Sequence, residues 1–125
     1  MKERALSGDA ATSRELYSEA VISGGLVFCS GTLGIDPVTG KAPKSAAAQT
    51  EQALRNLANI LSDYGSSMQH LVKTTIYYAE SANFAAINEV YARHMPTPPP
   101  ARSAVPCLAL PAGQLFCVDA IATLS

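Results

Sequence analysis

The sequence has few of the features of proteins that bind nucleic acid or cross membranes. Its 9 basic and 10 acidic side chains nearly cancel, to a net charge of −1, and lysine and arginine form no cluster. The positive surface that binds a phosphate backbone is therefore missing. No apolar stretch has the length of a signal peptide or approaches the ~20 residues of a membrane span. We therefore expect a cytoplasmic protein without nucleic-acid or membrane partners.

The cysteines and histidines lack the spacing of a metal or redox site. Cys29, Cys107 and Cys117 are odd in number and lie within apolar runs, so we expect buried, reduced thiols. His70 and His94 have no second ligand at metal spacing. The sequence therefore predicts no metal site.

The length of 125 residues is that of one domain, which we assign to residues 1–125, with 1–16 as a loosely ordered N-terminal segment. Apolar alternation, β-branched runs and turn signals predict five strands. They are expected at 17–22, 26–30, 71–79, 102–109 and 115–123. Two adjacent glycines between the first two strands are typical of a tight hairpin.

Two segments have helical rather than strand periodicity. Apolar residues recur at helical spacing from Ala46, with Ser45 as N-cap and Gly65 as the end of the helix. A second helix begins near Phe84 and ends at Pro96. The resulting order, β-β-α-β-α-β-β, predicts an α/β (α+β) fold with both helices on one face of a mixed sheet.

The last predicted strand is largely apolar on both faces. The face without helices therefore needs another molecule to cover it, and we expect a homo-oligomer. Arg102 and Asp119 are charged residues on strands that we expect to be covered. Either they pair with each other, or one of them awaits a charged ligand. The planar guanidinium of Arg102 suits the carboxylate of a small organic acid.

Several motifs, in their order and spacing, resemble the RidA/YjgF family of reactive-intermediate deaminases over residues 17–124. They are Ser30-Gly31, "DPVTGK", "AAAQTEQALRNLANIL", "VKTTIYY", "NFAAINEVYARHM", "PARSAV" and "DAIA". The resemblance implies a chorismate-mutase-like, ferredoxin-like subunit in a homotrimer, with clefts between subunits. It also implies hydrolysis of 2-imino or 2-enamino acids to 2-keto acids and ammonia, without metal or organic cofactor.

The resemblance also implies roles for individual residues. Arg102, in the "PAR" motif, binds the substrate carboxylate, and Asp119 helps to place the attacking water. Tyr17 and Gly31 complete the substrate site. The family usually has glutamate where this chain has Asp119, so a second interpretation is a non-catalytic trimer that binds small carboxylates as a sensor or regulatory partner. The endoribonuclease role also attached to the family is disfavoured by the lack of a basic surface.

Overall fold

A computed structural model describes residues 2–5 and 16–125 as a six-stranded mixed sheet with two helices on one face. The strands are β1 (Lys2–Ala5), β2 (Ala20–Ser23), β3 (Leu26–Leu33), β4 (Leu71–Ala79), β5 (Ala101–Cys107) and β6 (Phe116–Thr123). The helices are α1 (Ala46–Asp63) and α2 (Phe84–His94). The strand order is β1-β2-β3-β6-β4-β5, and all neighbours are antiparallel except the parallel pair β4 and β5.

The predicted α+β order is confirmed, and the structure adds β1. Residues 2–5 pair with β2 at the edge of the sheet, where the sequence predicts a loosely ordered segment. Residues 1 and 6–15 lie outside the described part of the chain, so the prediction for them stays a prediction. β2 is shorter than the predicted strand at 17–22, because residues 17–19 make no ladder with β3.

Local signals account for the element boundaries that the sequence predicts. Gly24 and Gly25 have φ of 59° and 77°, the left-handed values that a two-residue hairpin needs and that glycine adopts without strain. Ser45 caps α1, because its hydroxyl accepts a hydrogen bond from the Ala48 amide at 3.1 Å. The side chain of Asn83 caps α2 in the same way.

The core lies between the helices and one face of the sheet. Along β6 the buried side chains alternate with half-buried ones, as expected for a strand with one face on a core. The buried set is Phe116, Val118, Ala120 and Ala122. It packs in one cluster with fully buried leucines of α1, namely Leu54, Leu57 and Leu61. The opposite face of the sheet, here called the far face, carries the half-buried set.

Helix α1 is fixed closely against the end of β3. Gly34 lies directly against the backbone of Gln49, with no room for a side chain. The buried Gln49 amide donates to the Pro43 carbonyl and accepts from the Leu115 amide, each at 2.8 Å. One side chain therefore joins α1 to the loop before it and to the chain entering β6.

Strand β5 occupies the other edge of the sheet and is exposed along nearly its whole length. The expectation of a covered strand at 102–109 is therefore wrong for the single chain, because β5 has a strand partner on one side only. Within residues 2–5 and 16–125, neither helix has the length and apolar character required to traverse a bilayer.

Candidate active site

Arg102 lies on the exposed strand β5 and points to the side of the sheet that carries the helices. The register places it beside the buried Thr74 of β4. Its guanidinium carbon lies 4.9 Å from the ring centroid of Tyr91 on α2. None of the ion pairs among the described residues includes Arg102. Its remaining guanidinium N–H groups are thus available to a ligand carboxylate.

Asn88 holds the Arg102 side chain from the neighbouring helix. The Arg102 Nη1 donates a hydrogen bond to Asn88 Oδ1 at 2.8 Å. A polar residue on the otherwise apolar face of α2 favours a bond to buried backbone groups, but the structure gives it Arg102 as partner. The one sequence signal for the bond between Asn88 and Arg102 is that Asn88 is a polar residue on an apolar helix face.

Asp119 lies on the far face of the sheet and is engaged by a tyrosine. The phenol of Tyr77 donates to Asp119 Oδ2 at 2.8 Å across the β4–β6 pair. This bond to the carboxylate raises the pKa of Tyr77 to about 12, with burial as a smaller cause, so the phenol keeps its proton at neutral pH. The second carboxylate oxygen of Asp119 stays available to another donor.

Gly31 lies in a β-bulge directly opposite Asp119. The register of β3 with β6 passes from Cys29–Ala120 to Thr32–Val118, so residues 30 and 31 both face Asp119. A Cβ on Gly31 would come 3.1 Å from Cys117 Sγ, which places this glycine on the far face too. The structure therefore brings two predicted site residues, Gly31 and Asp119, together.

Tyr17 is 73% exposed and precedes β2. The segment that carries it is bound to the bulge, because Ser30 donates from its hydroxyl to the Ser18 carbonyl at 2.6 Å and from its amide to the Glu19 carbonyl at 3.0 Å. Tyr17 is thereby held near Gly31 through the backbone. We call Gly31, Tyr77, Cys117 and Asp119, which lie on the far face, the bulge cluster.

The thiols near the bulge are protonated at neutral pH. Burial, with the negative charge of Asp119 as a smaller cause, raises the pKa of Cys117 to about 11. Burial likewise raises the pKa of Cys29 to about 12. Cys29 is buried as predicted, whereas Cys107 and Cys117 are only partly so, and all three are free thiols. A thiol with such a pKa is a poor nucleophile.

Arg102 and the bulge cluster lie on opposite faces of the sheet. Arg102 and Asp119 therefore do not pair within one chain, and that alternative is wrong for the single subunit. Arg102 bonds to Asn88 and Asp119 to Tyr77 instead. One small ligand cannot touch both groups of a single chain.

The histidines have protein partners. His94 Nε2 lies 2.8 Å from Glu51 Oε1, which links α2 to α1, and His70 Nδ1 lies 2.8 Å from the Ser67 hydroxyl. Among the described residues, no three histidine, cysteine or acidic side chains are close enough together to hold a metal ion.

The mixed sheet, the helices on one face and the motif order define the class of the protein. A model of the family described as Endoribonuclease L-PSP matches residues 7–124. The chain belongs to this family, the RidA/YjgF proteins, which confirms the resemblance seen in the sequence.

Several relatives carry deaminase names. The chain is 45% identical over 109 residues to Reactive Intermediate Deaminase A, chloroplastic, from Arabidopsis thaliana, and covers 58% of that protein with 86% of its own length. It is 37% identical over 107 residues to the 2-iminobutanoate/2-iminopropanoate deaminase of Rattus norvegicus, with 85% of this chain and 78% of that one aligned. The solved structure of E. coli TdcF with bound serine matches with a TM-score of 0.83 at 32% identity, over 90% of this chain and 91% of that one.

Proposed function

We propose that this protein hydrolyses reactive 2-imino or 2-enamino acids to 2-keto acids and ammonia. The observation that carries the proposal is Arg102, an exposed arginine that is held in place yet has no carboxylate partner among the described residues. A guanidinium so held suits a carboxylate bound through two parallel hydrogen bonds. The deaminase names of the relatives and the serine bound to E. coli TdcF agree with a small substrate that carries a carboxylate.

The chemistry needs only orientation and proton transfer, because imines already hydrolyse in water. Water adds to the imine carbon, the C=N electron pair moves to nitrogen, and Asp119 takes a proton from the water. The protonated Asp119 then gives this proton to the amino nitrogen. The hydroxyl proton then passes to the same nitrogen through Asp119 as the C–N bond breaks, so that the 2-keto acid and ammonia leave and Asp119 is again a carboxylate.

We propose further that the site forms between the subunits of a homotrimer. Arg102 and the bulge cluster lie on opposite faces of one chain, so they can share a ligand only when different subunits supply them. The far face also leaves apolar side chains exposed, with Phe28 and Val105 each 39% accessible. The family resemblance supplies the number of subunits.

Sedimentation of the purified protein at micromolar concentration tests the assembly. We expect a single species with three times the subunit mass of 13.1 kDa. A stable monomer would remove the shared site, since each chain would then keep its two half-sites apart.

One observation favours the second interpretation, a trimer that binds small carboxylates without turning them over. The side chain in contact with Gly31 belongs to Cys117, a protonated thiol, and the carboxylate of Asp119 already accepts a hydrogen bond from Tyr77. Such a protein would bind 2-keto acids through Arg102 and leave imine hydrolysis at its rate in water.

The release of ammonia from freshly generated 2-imino acids decides between the two functions. We expect release above the rate in buffer, and a fall on the order of 100-fold in Asp119→Asn, which cannot accept the proton from water. Asp63→Asn removes an exposed carboxylate at the end of α1 and is the matched control. A wild-type rate equal to that of buffer, with 2-keto acid binding retained, would establish the binding protein instead.

A further inference from the structure

The Arg102 side chain lies against two aromatic rings. Its guanidinium carbon is 4.9 Å from the centroid of Tyr91 and 6.0 Å from that of Phe84. These distances lie within the range in which a cation is attracted by the negative face of a ring. The Phe84 ring is in turn stacked on Tyr78, with centroids 4.3 Å apart and an angle of 17° between the planes.

The nearer ring, that of Tyr91, is held in place by a hydrogen bond to strand β4. Tyr91 is only 7% exposed, and its hydroxyl lies 2.6 Å from the hydroxyl of Thr74, which is fully buried. Thr74 lies on β4 directly beside Arg102 in the parallel ladder. One strand therefore carries the anchor of the ring, and the adjacent strand carries the arginine that rests on it.

A tyrosine that only fills space in the core needs neither a hydrogen bond to Thr74 nor an arginine against its ring. A phenylalanine would pack at the same position without a buried hydroxyl. A buried hydroxyl costs free energy unless it finds a hydrogen-bond partner. A threonine hydroxyl on a buried strand has the same requirement. The hydroxyls of Tyr91 and Thr74 bond to each other, and this bond fixes the position of the Tyr91 ring against the guanidinium.

Arginine on an exposed edge strand is otherwise free to adopt many rotamers. A ligand that binds to such a side chain must first order it, and this weakens binding. Because Asn88 accepts a hydrogen bond from it and the Tyr91 ring centroid lies 4.9 Å from its carbon, the Arg102 guanidinium is already ordered before a ligand arrives.

We propose that Tyr91, held by Thr74, is a positioning residue that orders Arg102 for carboxylate binding. The proposal rests on the proposed role of Arg102 as the carboxylate-binding group. Tyr91 acts through the arginine and not through the substrate, so its removal is expected to weaken binding only for ligands that carry the carboxylate.

The test compares 2-oxobutanoate with its neutral amide as probes, with both dissociation constants measured by ligand-observed NMR on the assembled protein. Tyr91→Leu is expected to weaken binding of the acid roughly 5- to 10-fold, which is the range of a cation–π contact, and to leave binding of the amide unchanged. In the Arg102→Ala background, Tyr91→Leu is expected to have no further effect, because the residue through which it acts is gone.

A second pair of variants keeps the test valid should Tyr91→Leu fail to fold. Thr74→Val removes the anchor and is expected to weaken binding of the acid about 3-fold, at the lower end of the effect of a cation–π contact. Thr74→Ser retains the hydroxyl and should restore the affinity of the parent protein. Equal affinities in Thr74→Val and Thr74→Ser would overturn the inference.

The outcomes separate this inference from the proposed function. If Arg102→Ala binds 2-oxobutanoate as well as the parent protein does, the carboxylate site itself is wrong, and the inference falls with it. If Arg102→Ala loses binding while folded Tyr91→Leu does not, the site stands and only the role of Tyr91 is wrong. Equal losses for the acid and the amide would assign Tyr91 to the core alone.

Discussion

Replacing Arg102 with alanine is expected to lower kcat/KM for 2-imino acids by about 1,000-fold and to leave the subunit folded. Two hydrogen bonds to a carboxylate are lost, each worth about 1.5–3 kcal/mol when the partners are charged. The fold should not suffer, because Arg102 is exposed and its only hydrogen bond among the described residues is to Asn88. Initial rates of keto-acid formation and a thermal unfolding curve measure the two parts of this prediction.

Arg93→Ala is the matched control for that measurement. Arg93 is an exposed arginine on α2 whose nearest acid is Glu89, at 3.5 Å in an exposed pair. Such pairs contribute little to stability, so we expect a change in neither rate nor unfolding temperature. If Arg102→Ala instead unfolded the subunit or dissociated the assembly, Arg102 would have a structural role and the carboxylate site would have to be abandoned.

Replacing Gly34 with alanine is expected to lower the free energy of unfolding by about 3 kcal/mol, at the upper end of the usual cost of overpacking. The new Cβ would lie 2.8 Å from both the Cα and the carbonyl carbon of Gln49 and closer still to its carbonyl oxygen. These atoms belong to the α1 backbone, so the helix would have to move. The Gln49 side chain, bonded to Pro43 and Leu115, opposes that movement. Chemical denaturation measures the loss.

Gly31→Ala, three residues earlier in β3, provides the comparison. Its Cβ would come 3.1 Å from a side-chain atom, Cys117 Sγ, which can move by a few tenths of an ångström. We expect a loss of less than about 1 kcal/mol, since a flexible neighbour adapts at little cost. Similar losses at the two positions would show that α1 adapts as easily as a thiol and would refute the proposed tight contact.

The elements that the sequence predicts correctly are those with local signals. Ser45 begins α1, and the two glycines of the first hairpin form the expected turn, because the residues that decide each structure are adjacent in the chain. Strand β4 is found at 71–79 as predicted, since its β-branched and aromatic run has clear ends.

The site could be predicted only in part. The family motifs point to Arg102, but they do not show which face of the sheet it occupies, because that depends on the register of β5 with β4, which follows a crossover through α2. The partnership of Arg102 with Asn88 is equally hidden in the sequence. It joins residues 14 positions apart on different elements, and a helical periodicity cannot reveal a strand partner.

The placement of Arg102 and Gly31 on opposite faces has a consequence for inheritance. In the proposed trimer each chain contributes Arg102 to the cleft with one neighbour and its bulge cluster to the cleft with the other. A chain that has lost Arg102 can therefore still complete a cleft with a normal neighbour, and a chain that has lost Asp119 can do the same with its intact arginine. Two alleles, each inactive by itself, would then complement each other in mixed trimers, whereas damage to the core would be complemented by neither.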